Sequence, residues 1–219
     1  MSSSDRQSER PRKRDTRNRI LIAALELFNV LGEAKTTINQ IADELEISPG
    51  NLHYHFRTKA EIVSAIVDAF ETDARPVIMP PGDEPIDIDD IWVFLHLLLE
   101  RLSMYRFLFR DFETITASYP EIEKRLQRFV VSLAGNVALH LLSLEEHGVL
   151  KTTAGDRLIL GRSIVVQTLF SERFDSLTGV AVRDDNSTVR AAQSVLHLLL
   201  PYLAGSNAKL VRALLDDYR

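Results

Sequence analysis

Apolar residues recur along this chain at steps of three and four, the period of a helix face and not of a strand. Ile20, Ala24, Leu27, Phe28 and Leu31 form one such face, and Gly32 follows as a stop. Thr37 with Gln40 three residues on is a capping box, opening a helix within TTINQIADELEI whose buried stripe is Ile38, Ile41, Ala42 and Leu45. Ser48 is an N-cap with Pro49 at the first helical position, where a missing N–H costs nothing. That predicts a short helix over roughly Pro49 to Phe56. Thr58 with Glu61 makes another capping box, before a longer helix through Ile62, Ala65, Ile66, Ala69 and Phe70.

After Arg75 the texture changes. RPVIMPPGDEPIDIDD holds four of the eight prolines and a cluster of acids, a composition that stops a helix and serves as a linker. Four or five helices are expected beyond it. Asp87 to Thr116 is strongly apolar, Pro120 opens a segment running to Gly148, and a third covers about Thr153 to Phe174. A fourth starts at Asn186 or Ser187 and reaches Leu203, with Pro201 expected to kink or end it, and a short last helix follows Ser206. The pattern predicts an all-α chain: a basic flexible arm over 1–14, a small helical domain over 15–75, a Pro-rich acidic linker over 76–86 and a larger helical domain over 87–219.

The short helix holds the first chemical clue. Two turns cannot stand alone, and Leu52 and Phe56, one turn apart, are its anchors to a core. Asn51, His53, Tyr54 and His55 are left pointing largely outward. Two helices joined by the tight turn EISPG, the second short and polar, form a helix-turn-helix pattern. In that role Ser48 and the free N–H groups behind it meet phosphates. Gly50 permits close approach, and Asn51 can hydrogen-bond a base edge, adenine being its best partner. His53 and His55 stand two apart on a helix, so their rings diverge by about 200° and cannot share a metal ion.

Charge sharpens this picture. Residues 1–19 hold seven Arg or Lys against three Asp or Glu, a balance of +4; with −5 overall, the other 200 residues carry −9. A basic arm on an acidic body suits a tail that seeks phosphate. There is no cysteine, hence no disulfide or thiolate chemistry. A Gly-rich phosphate loop, G-x-S-x-G and H-E-x-x-H are absent as well, so an enzyme is not expected, nor a cofactor or a metal. The apolar run ILIAAL is cut by Glu26 and reads as helix face, not signal peptide, and other apolar runs are interrupted by His96, Glu100 and Arg162. The expectation is a soluble, cytoplasmic protein with no membrane partner.

These residues carry a resemblance. TTINQIADELEISPGNLHYHFRTKAEIV resembles the DNA-binding module of the TetR family of bacterial transcriptional regulators, through Thr36, Thr37, Ile41, Ala42, Ile47, Ser48, Gly50, Leu52, His55, Phe56 and Lys59. Two departures stand out: the turn glycine is Glu46, and the usual tyrosine is His53. The resemblance implies a dimeric, sequence-specific regulator of a palindromic double-stranded operator, a repressor released by a small-molecule effector; a ligand-independent or activating regulator is the alternative, and a non-DNA interaction module a remote one. It implies DNA contacts from Thr37, Asn39, Ser48, Pro49, Gly50, Asn51, His53, Tyr54, His55 and Lys59.

For the larger domain the resemblance implies effector binding and dimerisation without assigning residues. Polar groups set in apolar faces supply candidates for a partly apolar effector: Trp92, His96, Tyr105, Phe109, Phe112, His140 and Gln167. The last two helices offer an apolar surface for a second copy, with Val189, Ala192, Leu196, Leu199, Leu203, Leu210 and Leu214 as candidates.

Overall fold

The capping signals set the first boundaries. The computed structural model describes residues 5–82, 84–179 and 187–216, with side chains from Asp15 onward. Its helices are α1 Asp5–Leu31, α2 Ile38–Glu44, α3 Pro49–His55, α4 Lys59–Ala74, α5 Ile88–Met104, α6 Phe107–Arg110, α7 Phe112–Ser118, α8 Pro120–Glu146, α9 Ala154–Thr178, α10 Ser187–Leu199 and α11 Asn207–Asp216. Among the described residues there is no strand; one isolated bridge pairs Leu150 with Leu203. The all-α expectation holds.

Met1–Ser4 of the expected arm, Asp83 of the linker and Asn186 lie outside the described residues. From Asp5 the arm is helix, continuous with α1, rather than irregular chain. Arg, Lys, Gln and Glu dominate this stretch and are strong helix formers.

The chain forms two units, and they do not divide at the linker. One runs to Glu71 and takes in Tyr105–Glu123; the other holds Thr72–Met104 and continues from Lys124. The first unit thus carries a segment expected in the larger domain. Its core joins Phe28, Phe56, Ile66 and Phe70 of the N-terminal helices to Phe107 and Leu108. Phe28 meets Phe107 with ring centroids 5.3 Å apart, and Phe70 meets Tyr105 and Phe109 at 5.4 and 5.8 Å. Hydrogen bonds fix the same join: Arg110 donates to the carbonyls of Asn29 (2.6 Å) and Phe28 (3.0 Å), capping the end of α1.

This explains why Asp87 to Thr116 is not one helix. Phe107, Leu108 and Phe109 are all buried. Three consecutive buried residues span some 200° of a helix and cannot share one face, so the chain breaks into short helices enclosed on several sides.

In the second unit α10 packs on α5 and α9. Pro201 ends α10 in a 3-10 turn over Leu200–Tyr202, as expected. α9 continues past Phe174 to Thr178, where Gly179 closes it at φ 77°. α8 is long and apolar enough to cross a membrane by length and composition. Its buried residues, however, follow one stripe: Ile122, Leu126, Phe129, Leu133, Val137, Leu141 and Leu144. That is the pattern of a helix packed in a protein core.

Candidate nucleic-acid interface and effector cavity

The short helix is held as its sequence requires. Thr37 and Gln40 close the capping box of α2. That helix ends in a Schellman turn, where Ile47 N–H donates to Ala42 O (3.0 Å) and Glu46 N–H to Asp43 O (3.1 Å). The turn needs a left-handed residue after the C-cap, and Glu46 adopts φ 55° to supply it. Ser48 Oγ then accepts from Asn51 N–H (3.2 Å) to start α3. Leu52 and Phe56 are buried, and the guanidinium of Arg17 lies 4.4 Å from the Phe56 ring centre, tying α1 to the end of α3.

What remains outside is a polar surface. Asn39, Ser48, Pro49, Gly50, Asn51 and His53 are exposed, Thr37 is exposed with its hydroxyl engaged by Gln40, and Tyr54 keeps 67% of its surface. A Cβ at Gly50 would meet only Ser48 Oγ, at 4.0 Å. Nothing among the described residues therefore demands glycine there; its effect is to bare the backbone on the outer face. His55 is half-buried, edge-on to Tyr54 at 5.3 Å, and so is at most a partial contributor to that face.

Lys59 departs from expectation. Its ammonium donates to Glu33 O (2.7 Å) and Thr36 O (2.9 Å) and pairs with Glu33 Oε1 (2.8 Å). An ammonium has three protons, and all three are used inside the chain. Lys59 is a clamp between the α1–α2 turn and α4, not a group held out to phosphate. Glu33 is its buried partner and also accepts from Tyr119 Oη (2.6 Å). Sequence reasoning missed Glu33 and Tyr119 because they are 86 residues apart and belong to no motif.

In the second unit an apolar cavity of about 20 Å³ lies among α5, α8, α9 and α10. Of the seven effector candidates His140 alone lines it, beside Phe94, Val137, Leu141 and Ile164. Tyr105 and Phe109 are core of the first unit, packed on Phe70, and Phe112 opens α7 there. Trp92 packs against Leu99, Ala191 and Ala192. His96 is held by its own helix, with Nδ1 2.8 Å from Trp92 O and its ring 3.9 Å from the indole. Gln167 is half-buried on α9 and does not line the cavity. The missed lining residues are aliphatic or aromatic, indistinguishable in sequence from core.

The dimer candidates also sort differently. Ala192, Leu196 and Leu199 are buried within their own chain, because α10 is covered by α5 and α9. Val189, Leu203 and Leu214 are half-buried and Leu210 is exposed. The larger exposed apolar surface is on α9: Ile159, Val166, Phe170, Phe174 (66% exposed) and Leu177 (76%). At 100° per residue, Ile159, Val166, Phe170 and Leu177 fall within about 40° of one another, a single stripe roughly 27 Å long.

Comparison with known proteins matches this layout. Residues 20–66 match the model described as bacterial regulatory proteins, tetR family, and residues 69–210 match the TetR bacterial transcriptional repressor model. The HTH-type transcriptional regulator TcmR of Streptomyces glaucescens is 39% identical over 77 residues, 33% of this chain and 33% of that protein. TtgR of Pseudomonas putida is 29% identical over 86 residues, 39% of this chain and 40% of its own length. The chain therefore matches between a third and two fifths of the length of these curated relatives. The crystal structure of a TetR-family transcriptional regulator from Marinobacter aquaeolei VT8 superposes with a TM-score of 0.84 at 30% identity, over 93% of this chain and 98% of that one. With both regions matched and the whole helical course shared, this chain belongs to the TetR family of bacterial transcriptional regulators.

Proposed function

We propose that the protein is a homodimeric repressor, acting in the cytoplasm, that binds a palindromic operator through α3 and leaves it when a small molecule occupies the cavity of the second unit. The observation that carries the reading is the outer face of α3. A two-turn helix pinned by Leu52 and Phe56 presents Asn51, His53 and Tyr54 as exposed residues. That is the arrangement a major-groove helix needs.

Dimerisation supplies the second such helix. The two must stand about 34–36 Å apart to enter successive grooves on one face of DNA. The apolar stripe on α9, longer than a monomer leaves exposed without reason, is the surface we assign to the partner copy. An effector that binds better to a differently spaced state lowers operator affinity, by no more than its preference for that state.

The test is selection of duplexes from genomic fragments on the purified chain, followed by anisotropy titrations across salt concentrations. The expected result is one enriched palindrome, bound by two chains and at least about 10³-fold tighter than random duplex. Equal binding to all duplexes, or none to any, would overturn the reading.

A further inference from the structure

We propose that the guanidinium of Arg17, seated on the ring of Phe56 at the end of α3, is a phosphate contact, in place of the engaged Lys59. This rests on the reading of α3 above and names a group that grips the DNA backbone beside that helix.

α1 sets the position. Cζ of Arg17 stands 4.4 Å from the centre of the Phe56 ring. Phe56 is the C-cap of α3, with its N–H donating to Leu52 O. It is 1% exposed, whereas Arg17 is exposed. The guanidinium is therefore an outer cover of the ring, at the surface where α3 ends. Leucine or methionine would cover the ring as well and bring no charge. Arginine brings five N–H donors in one plane. The ring occupies one side of the group, and among the described residues no carboxylate or carbonyl takes the donors that remain.

Other cations of the same unit are spent inside it. Lys59 gives its protons to Glu33 and Thr36. Arg106 and Arg110 donate to the carbonyl of Asn29. Arg19, Lys35 and Arg57 are exposed, but no contact among the described residues fixes their charged ends. Arg17 alone of these four is both exposed and held, and a held donor loses less freedom on binding than a loose one.

DNA supplies the partner. A helix with its side chains is about 10–12 Å across, and the major groove is about 12 Å wide. A helix lying there has a phosphate backbone along each flank, and a cation fixed at its end sits in the field of those charges. Arg17 stands on α1, not on the helix that faces the bases, so the contact carries no sequence preference.

The test is the salt dependence of binding to a random-sequence duplex, read by fluorescence anisotropy on the full chain. One phosphate contact contributes about 0.9 to the slope of log affinity on log salt. Arg17→Leu keeps an apolar cover on Phe56; it should preserve the helical spectrum and make the slope shallower by about 0.9 for each chain bound. Arg17→Lys, which retains the charge, should retain the parent's slope. Arg19→Leu, about 200° round α1 from Arg17, should retain it too. A slope in Arg17→Leu equal to the parent's would overturn the assignment and leave Arg17 as a cover for Phe56. An equal loss in Arg19→Leu would also overturn it, since any cation on α1 would then serve. Should Arg17→Leu fail to fold, the nitrogen-15 resonance of Arg17 Nε in the parent decides. It should shift on adding the duplex, and an unmoved resonance would overturn the proposal. A parent that bound no duplex at low salt would instead overturn the reading of α3 itself.

Discussion

The hydroxyl of Tyr119 donates a 2.6 Å hydrogen bond to Oε1 of Glu33, the same oxygen that pairs with the Lys59 ammonium at 2.8 Å. Glu33 is 2% exposed, so its carboxylate depends on these two partners. Removing Lys59 by Lys59→Met should lower the stability of the wild type by about 3–5 kcal/mol, since a buried charge loses its counter-ion. Tyr119→Phe should cost less, about 1–3 kcal/mol. Chemical denaturation measures both. Because the Lys59 protons are engaged internally, the salt dependence of operator binding per folded molecule should be the same in Lys59→Met as in the parent; a slope shallower by about one unit would make Lys59 a phosphate contact after all.

Tyr119 also carries an alkaline signature. Burial, then the bond to Glu33, raises its pKa well above the ordinary 10.0. A group whose folded pKa is raised contributes stability that is whole below the unfolded value and is lost as pH climbs through the folded one. Above about pH 10 the wild type should lose its stability advantage over Tyr119→Phe, as read from urea midpoints across that range.

Asn51 is exposed, and its bond to Ser48 Oγ is made by its backbone N–H, which alanine keeps. Asn51→Ala should leave the melting temperature unchanged and weaken operator binding by about 1–3 kcal/mol, with relaxed choice at one base pair. Unchanged operator affinity would remove Asn51 from the base readers.

Glu46 holds a left-handed conformation that a side chain occupies at a cost of roughly 1–2 kcal/mol. Glu46→Gly relieves this and adds backbone entropy to the unfolded chain, for a net gain of about 0.5–1 kcal/mol. A lower melting temperature would mean that the Glu46 side chain supports the turn in some other way.

Burial lowers the pKa of His140, so on acidification the unfolded chain takes up its proton before the folded chain does. The stability tied to this group is therefore present above about pH 6.5 and is lost as pH falls. Between pH 7 and pH 5 the wild type should lose more stability than His140→Phe. Parallel pH profiles would show that the imidazole is not the group responsible.

The stripe on α9 predicts the effect of paired substitutions. Phe174→Asp with Leu177→Asp, both exposed in the single chain, should halve the mass seen by light scattering while preserving the helical spectrum. Leu196→Asp, at 0% exposure, should instead unfold the second unit by burying a charge. A double variant that remained dimeric would put the interface on another face.

The contrast between α3 and α10 shows how far the sequence could be read. Caps act over three residues, so the box of Thr37 with Gln40 and the N-cap Ser48 were legible, and with them the helix that faces outward. The φ of Glu46 was legible as a departure, because the turn has one slot that demands it. An apolar stripe does not say what covers it. Leu196 and Leu199 have the spacing of an interface and lie in a core, while Ile159 and Phe174 sit on a helix of weaker pattern and stay exposed. Lys59 has the residue type of a phosphate contact, and only its distance to Glu33, 26 positions earlier, shows where its protons go. Aliphatic cavity walls such as Val137 and Ile164 carry no mark of their role at all.

The segment Tyr105–Glu123 lies with helices from the other side of the linker, its bonds to α1 reaching back some eighty residues, and this bears on how such a gene can be recombined. A crossover at the linker would look harmless, since it falls among prolines and acids. The fragment it released would carry Phe28 and Asn29 carbonyls stripped of Arg110, and Glu33 stripped of Tyr119. A hybrid that joined this N-terminal head to the body of a distant relative would inherit a foreign version of that collar. On the proposed function, a hybrid of this kind should keep its stability only if the new body brings a matching arginine and tyrosine, which would tie the operator-reading helix to a stretch of sequence far from it.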